Sequence, residues 1–207
     1  MTAGPRDPGA PELWLASASP TRAEMLRRAG VDAGIEAAMI DEDEVKSALR
    51  AERADAASVA ETLAELKATR VARRHAGALV IGADQMLVCD DRWFDKPESR
   101  DGAREQLRAL RGRRHELVAA VCVVRDGTRL WHHCDRASLW MRDFSDSFLA
   151  LYLDAAGEDC TNTVGAYRLE GLGVQLFARI EGDHFTILGL PLLPLLDYLR
   201  NHGVVPA

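Results

Sequence analysis

The sequence predicts an α/β protein built on a mixed, strongly twisted sheet flanked by helices. Three observations carry that expectation. Short apolar runs with strand character alternate with stretches in which apolar residues recur at helical spacing. One long hairpin, His115 to Met141, interrupts the alternation, so the sheet is not a plain parallel one. Serines, prolines and glycines fall where helices start and stop.

Taken in order, "MTAGPRDPGAPE" (1–12) carries Pro, Gly and charge but no apolar core, so it reads as a flexible leader and not a secretory signal. Residues 13–207 read as a single domain. Leu13 to Ala16 is a short buried strand. Ser19 caps the following helix, Pro20 suits its first turn and Gly30 its stop. Met39 to Val45, an acidic run, reads as a connector. A longer helix spans about Ala54 to His75, with Val59, Leu63, Leu66 and Val71 in register. Leu79 to Ile81 reads as a central strand, followed by a polar break at Gly82 to Gln85, a second run Met86 to Val88 and a turn at Asp90 and Asp91. Asp101 to Leu110 is helical. The Asp126–Gly127 pair turns the long hairpin. Ser145 caps a helix reaching about Ala156, "GVQLFARIEGDHFTIL" supplies another strand and turn, and Pro191 opens the last helix.

Composition narrows function. A length of 207 residues with 47% hydrophobic content is enough for a real core. The formal charge of -6, with no basic stripe, argues against long nucleic acid, while leaving a small anionic ligand open to a few local cations. Cys89, Cys122, Cys134 and Cys160 are widely spaced and read as reduced thiols of a cytoplasmic protein. In "WHHCD" the neighbouring His132 and His133 of a strand diverge, which disfavours a metal cluster. His115 and His184 read as structural. The tail "LGLPLLPLLDYL" is too short and too proline-broken to span a bilayer.

Several residues could carry chemistry. In "LASASPTRAEMLRRAG", Ser17, Ser19, Thr21 and Arg22 gather hydroxyls and a guanidinium at a helix start, where free N–H groups favour anions. The same residues also suit a plain capped helix with a surface arginine. Asp84 follows an apolar strand, at the edge where open α/β sheets place ligands, or else serves a turn. Lys67 lies near an apolar helix face and either snorkels or points into a site. Glu42 offers a second carboxylate, and Lys96 in "DKPE" a second lysine.

The ordered blocks "LASASPxR", "DE", "LAxxKA", "IGAD", "KP", "LRGRRHELV", "GAYRLEG" and "GDHFTILGLPL" resemble the Maf family from Leu13 to Leu199. Members of that family are nucleoside triphosphate pyrophosphatases, also known as septum formation inhibitor proteins. The resemblance implies a fold related to inosine triphosphate pyrophosphatases, with two lobes around a groove. It implies hydrolysis of a nucleoside triphosphate to the monophosphate and pyrophosphate, aided by Mg²⁺ or Mn²⁺, in a cytoplasmic protein, and suggests a homodimer. By motif, Asp84, Glu42 and Lys96 fall at catalytic positions and Asp84 and Glu42 at the metal. Ser17, Ser19, Arg22, Lys67 and Glu170 fall at substrate-binding positions. Three residues depart from the commoner pattern: Thr21 for an arginine, Gln85 for a threonine and Glu170 for a glutamine. The single arginine after "SP" and the "DQ" pair resemble the subgroup that handles 7-methyl-GTP. A dTTP/UTP pyrophosphatase, a nucleotide-binding regulator of cell division and a binding module without turnover are the rival readings.

Overall fold

A computed structural model describes residues 9–206, so the first eight residues of the expected leader lie outside the described residues. In chain order the strands are β1 (Leu13–Ala16), β2 (Gly34–Ile35), β3 (Leu79–Cys89), β4 (Arg92–Phe94), β5 (Arg114–Arg125), β6 (Thr128–Met141) and β7 (Phe177–Glu181). The helices are α1 (Pro20–Arg28), α2 (Glu42–Ala51), α3 (Ala56–Ala72), α4 (Arg100–Leu110), α5 (Asp146–Ala156), α6 (His184–Ile187) and α7 (Leu192–Asn201). Among the described residues the strands form one seven-stranded sheet in the order β2-β1-β3-β5-β6-β7, with β4 paired to β3. β1 runs parallel to β2 and β3, whereas β4 runs antiparallel to β3 and β7 antiparallel to β6, so the sheet is mixed as expected.

The chain divides into two compact units. The first comprises residues up to Gln85, Ala119–Asp135 and the residues from His184 on; the second comprises Met86–Val118 and Arg136–Asp183.

In the first unit the strand period sorts side chains onto two faces. Leu13, Leu15, Leu79, Ile81, Ala83, Val121 and Val123 join Met25 and Leu26 of α1 and Leu192, Leu195 and Leu199 of α7 in one core. Each fully buried leucine contributes about 2 kcal/mol of transfer free energy. Val80, Gly82 and Asp84 alternate with that set along β3 and so point to the other face. There α3 buries Val59, Ala60, Leu63, Ala64, Lys67, Ala68 and Val71. β1 and β3 are in parallel register, with Ala16 beside Gly82, which brings the end of β1 level with the stretch before Asp84.

Two sequence expectations need correction in this unit. The acidic run at Met39 to Val45 is not a connector throughout, because α2 begins at Glu42. Asp41 caps it by accepting from the Glu44 N–H at 3.0 Å, and Glu42, Asp43 and Glu44 occupy the first turn, where acidic side chains favour the helix dipole. There is also no break at Gly82 to Gln85: β3 runs unbroken through all 11 of its residues. Its polar members find their partners on neighbouring elements, so they do not interrupt the ladder.

In the second unit β3 turns into β4 through Asp90, whose φ is 52°, and pairs Leu87 with Phe94. α4 buries Ala103, Leu107 and Leu110, and α5, capped by Ser145, buries Leu149, Tyr152 and Leu153. The stretch read as a strand from Gly173 opens instead as a 3-10 turn, Leu172–Leu176, and becomes extended only from Phe177. The hairpin between β5 and β6 has its turn in the first unit, at Asp126 and Gly127, both at positive φ (48° and 80°), as a tight primed turn requires. All four cysteines are free thiols, and Cys89, Cys122 and Cys160 are buried.

Candidate active site

Six of the eight residues singled out from sequence lie in the first unit: Ser17, Ser19, Arg22, Glu42, Lys67 and Asp84. Their positions follow from local structure. Leaving β1, Ser17 is buried and its Oγ accepts from the Ser19 N–H at 3.1 Å. Ser19 Oγ then accepts from the Arg22 N–H at 3.4 Å and caps α1. Two N–H groups at this helix start are therefore used by hydroxyl oxygens, whose own O–H protons can still donate outward.

Arg22 is not a free surface arginine. Its Nε donates to the Gly189 carbonyl at 2.7 Å and its Nη1 to the Ala83 carbonyl at 2.9 Å. Burial pulls the guanidinium below its usual pKa, opposed by the charges of Asp84 and Glu42. Arg22 thus ties the start of α1 to β3 and to the loop after α6, and it places positive charge within electrostatic reach of both carboxylates.

Lys67 does not snorkel. Its side chain is buried, and Nζ lies 2.6 Å from Asp84 Oδ1 and 2.8 Å from Glu42 Oε1. One ammonium thus bridges a carboxylate from β3 and another from the first turn of α2. Asp84 Oδ2 is buried and has no hydrogen-bond partner among the described residues. Burial pushes the Asp84 carboxyl above its usual range, opposed by Lys67 and Arg22. Glu42 shows the reverse balance. Burial alone would push it up, but Lys67, Lys46 and Arg22 together outweigh that and hold its carboxyl below the usual range.

Gln85 was noted in the sequence only as a departure from a family pattern. Its Nε2 donates to the carbonyls of Thr186 and Ile187, each at 3.0 Å. The buried Thr186 hydroxyl donates in turn to Asp135 Oδ2 at 2.8 Å. The residues on either side of Asp84 are therefore both fastened to the 186–189 segment, Ala83 through Arg22 and Gln85 directly. Nothing in the sequence signalled this fastening, since the acceptors are backbone carbonyls about a hundred residues away.

Lys96 and Glu170 belong to the second unit. Lys96 is exposed in the stretch between β4 and α4. Glu170 is exposed and pairs with Arg168 at 3.3 Å, while Arg168 also pairs with Asp159 at 3.3 Å.

Among the described residues no three His, Cys, Asp or Glu side chains converge as metal ligands. Mg²⁺ does not need such a cage: it commonly takes one or two carboxylates and completes its shell with substrate phosphate and water. The unpartnered Asp84 Oδ2 and the carboxylate of Glu42, joined by a single lysine, fit that requirement.

A helix start that carries hydroxyls and a guanidinium suits an anionic ligand. Comparison with known proteins makes the class definite. The family described as Maf-like protein matches residues 12–202, and the chain belongs to the Maf family. It is 60% identical to a nucleoside triphosphate pyrophosphatase of Paramagnetospirillum magneticum, over 91% of this chain and 97% of that one. It is 54% identical to a protein of the same description from Rhodospirillum rubrum, over 94% and 96%. It is 48% identical to a 7-methyl-GTP pyrophosphatase of Rhizobium meliloti, over 95% and 99%.

Proposed function

We propose that this chain is a nucleoside triphosphate pyrophosphatase, releasing pyrophosphate and a nucleoside monophosphate, with 7-methyl-GTP or a similarly modified nucleotide as substrate. The observation that carries the reading is the bridge from Lys67 to Asp84 and Glu42, with Asp84 Oδ2 left unpartnered. Full-length similarity to proteins named for this activity supports it. The modified base is supported by Thr21 and Gln85, and by the name of the Rhizobium relative.

The chemistry asks for water to attack a phosphorus already crowded by anionic oxygens. Lys67 fixes Asp84 through Oδ1, which leaves Oδ2 without a partner and able to take a proton. As the water oxygen bonds to phosphorus, its proton passes to Asp84 Oδ2, and the bridging oxygen leaves with pyrophosphate. Arg22 and the hydroxyl protons of Ser17 and Ser19 offer positive charge and donors to the triphosphate. Glu42 would hold Mg²⁺ or Mn²⁺ beside Asp84, leaving Asp84 Oδ2 to take the proton, and the cation would neutralise phosphate oxygens as charge builds in the transition state. The protein acts in the cytoplasm as a homodimer, cleansing the nucleotide pool.

The deciding experiment is pyrophosphate release across 7-methyl-GTP, dTTP, UTP and the common triphosphates, with and without Mg²⁺ or Mn²⁺. Turnover of 7-methyl-GTP, abolished by a chelator and restored by either metal, is the expected result. Activity on dTTP and UTP alone would assign the other substrate class. In Asp84→Asn, loss of the proton acceptor lowers kcat by a factor of roughly 100 or more; unchanged turnover in a folded variant would remove Asp84 from the mechanism. Light scattering checks the assembly, with two chain masses expected per particle.

A further inference from the structure

We propose that Gly82 is a positioning residue, whose missing side chain lets α3 lie close enough to β3 for Lys67 to reach Asp84 and Glu42 together. Its consequence for turnover rests on the pyrophosphatase reading above. Gly82 and Asp84 stand two apart on β3 and so point to the same face, the one covered by α3. α3 presents a buried alanine every fourth residue there: Ala56, Ala60, Ala64, Ala68 and Ala72. Gly82 meets the middle of that row.

A Cβ built on Gly82 would collide with the Ala64 carbonyl oxygen. It would also lie 2.8 Å from Ala68 Cβ and 2.9 Å from the Ala64 carbonyl carbon. The nearest obstacles are helix backbone, which cannot swing aside as a long side chain can. Room for a methyl group would have to come from moving α3 away from the sheet by on the order of 1 Å. Lys67 sits between Ala64 and Ala68, on the turn that would move.

A lysine stem is flexible, so the geometry of the two contacts matters. The ammonium must satisfy Asp84 at 2.6 Å and Glu42 at 2.8 Å at once, from a stem that is already buried. Re-extension after retreat of the helix can recover one contact at the expense of the other. Asp84 then loses the partner that orients it, and a displacement of about 1 Å at reacting groups costs about a hundredfold in rate.

The test compares the wild-type chain with Gly82→Ala, which adds the methyl from the strand side, and Ala68→Val, which adds bulk from the helix side. Leu195→Ala, a cavity in the opposite core, controls for simple destabilisation. Two quantities are read: steady-state pyrophosphate release, and the slowly exchanging side-chain ammonium of Lys67 by ¹⁵N NMR, assigned with Lys67→Arg. Circular dichroism confirms folding. In Gly82→Ala, kcat is expected to fall about a hundredfold with KM near its wild-type value, and the protected ammonium signal to disappear. Ala68→Val shifts both in the same direction, while Leu195→Ala lowers the melting temperature and leaves both intact. A folded Gly82→Ala that keeps its kcat and its Lys67 signal overturns the proposal, and if that variant does not fold, the same result in Ala68→Val does so. Should the wild type release no pyrophosphate, the functional reading fails, and the Lys67 signal alone decides the role of Gly82.

Discussion

Burial holds His115 neutral. The ring is 1% exposed, its Nε2 lies 2.8 Å from the Tyr167 hydroxyl, and its Nδ1 has no partner among the described residues. Desolvation lowers its pKa to about 4, against about 6.5 in an unfolded chain. Between those values the unfolded chain binds a proton that the folded one does not. Stability is therefore fully present above pH 6.5 and is lost as pH falls toward 4, by about 3 kcal/mol in all. His115→Phe should flatten that slope in urea denaturation between pH 7 and pH 4. At pH 7 it should cost about 1–2 kcal/mol, because the buried Tyr167 hydroxyl loses its partner. A slope unchanged in the variant would place the acid sensitivity elsewhere. The residue scale also shows how far sequence reading reaches. Asp84 reads in the sequence as an acid past the end of an apolar strand, at its edge or in a turn; it lies instead inside β3, where Lys67 of α3 meets it. Lys67 was legible only as a choice between snorkelling and pointing inward. Partners on β3 and α2 settle that choice, and neither is local to the lysine.

At the scale of elements, α2 was the harder reading. None of its residues is buried, and its short apolar stripe, Val45, Ala48 and Leu49, follows an acidic run that reads as a loop. Its formation leans on the Asp41 cap and on three acidic residues in its first turn. This matters for the site, because Glu42 is the first residue of the helix and depends on that cap for its place. Asp41→Ala should cost about 1 kcal/mol in stability, fray the first turn and lower kcat by releasing Glu42 from Lys67. Thermal unfolding and pyrophosphate release measured together check it. A loss of stability with full activity would mean that Glu42 does not need the helix. α1 was easier to read, since Ser19, Pro20 and Gly30 mark its ends and Met25 and Leu26 share a face. β3 was read as two pieces because a glycine and an aspartate in a strand look like a break. The strand survives them since α3 covers both.

Across the whole molecule, the first unit separates its tasks by sheet face. The core on the α1 and α7 side supplies stability, and the α3 side carries the buried polar bridge. Leu26→Ala, on the core side, should cost about 3 kcal/mol in denaturant unfolding. Its kcat and KM at 25 °C should match the wild type, since no residue of the bridge belongs to that core. A drop in kcat in the folded variant would show that the two faces are coupled. No helix among the described residues is long and apolar enough to cross a membrane.

The sequence by itself determined the class of fold, most helix boundaries and family membership. Periodicity, caps and turn residues act over a few positions, and eight ordered blocks leave little room for coincidence. Tertiary structure alone decided which polar residues meet. It placed Lys67 between Asp84 and Glu42, engaged Arg22 and Gln85 with carbonyls of the 186–189 segment, and pressed α3 against Gly82. Those contacts join residues far apart in the chain. They form only when the sheet has fixed which face each side chain takes and the helices have closed over it.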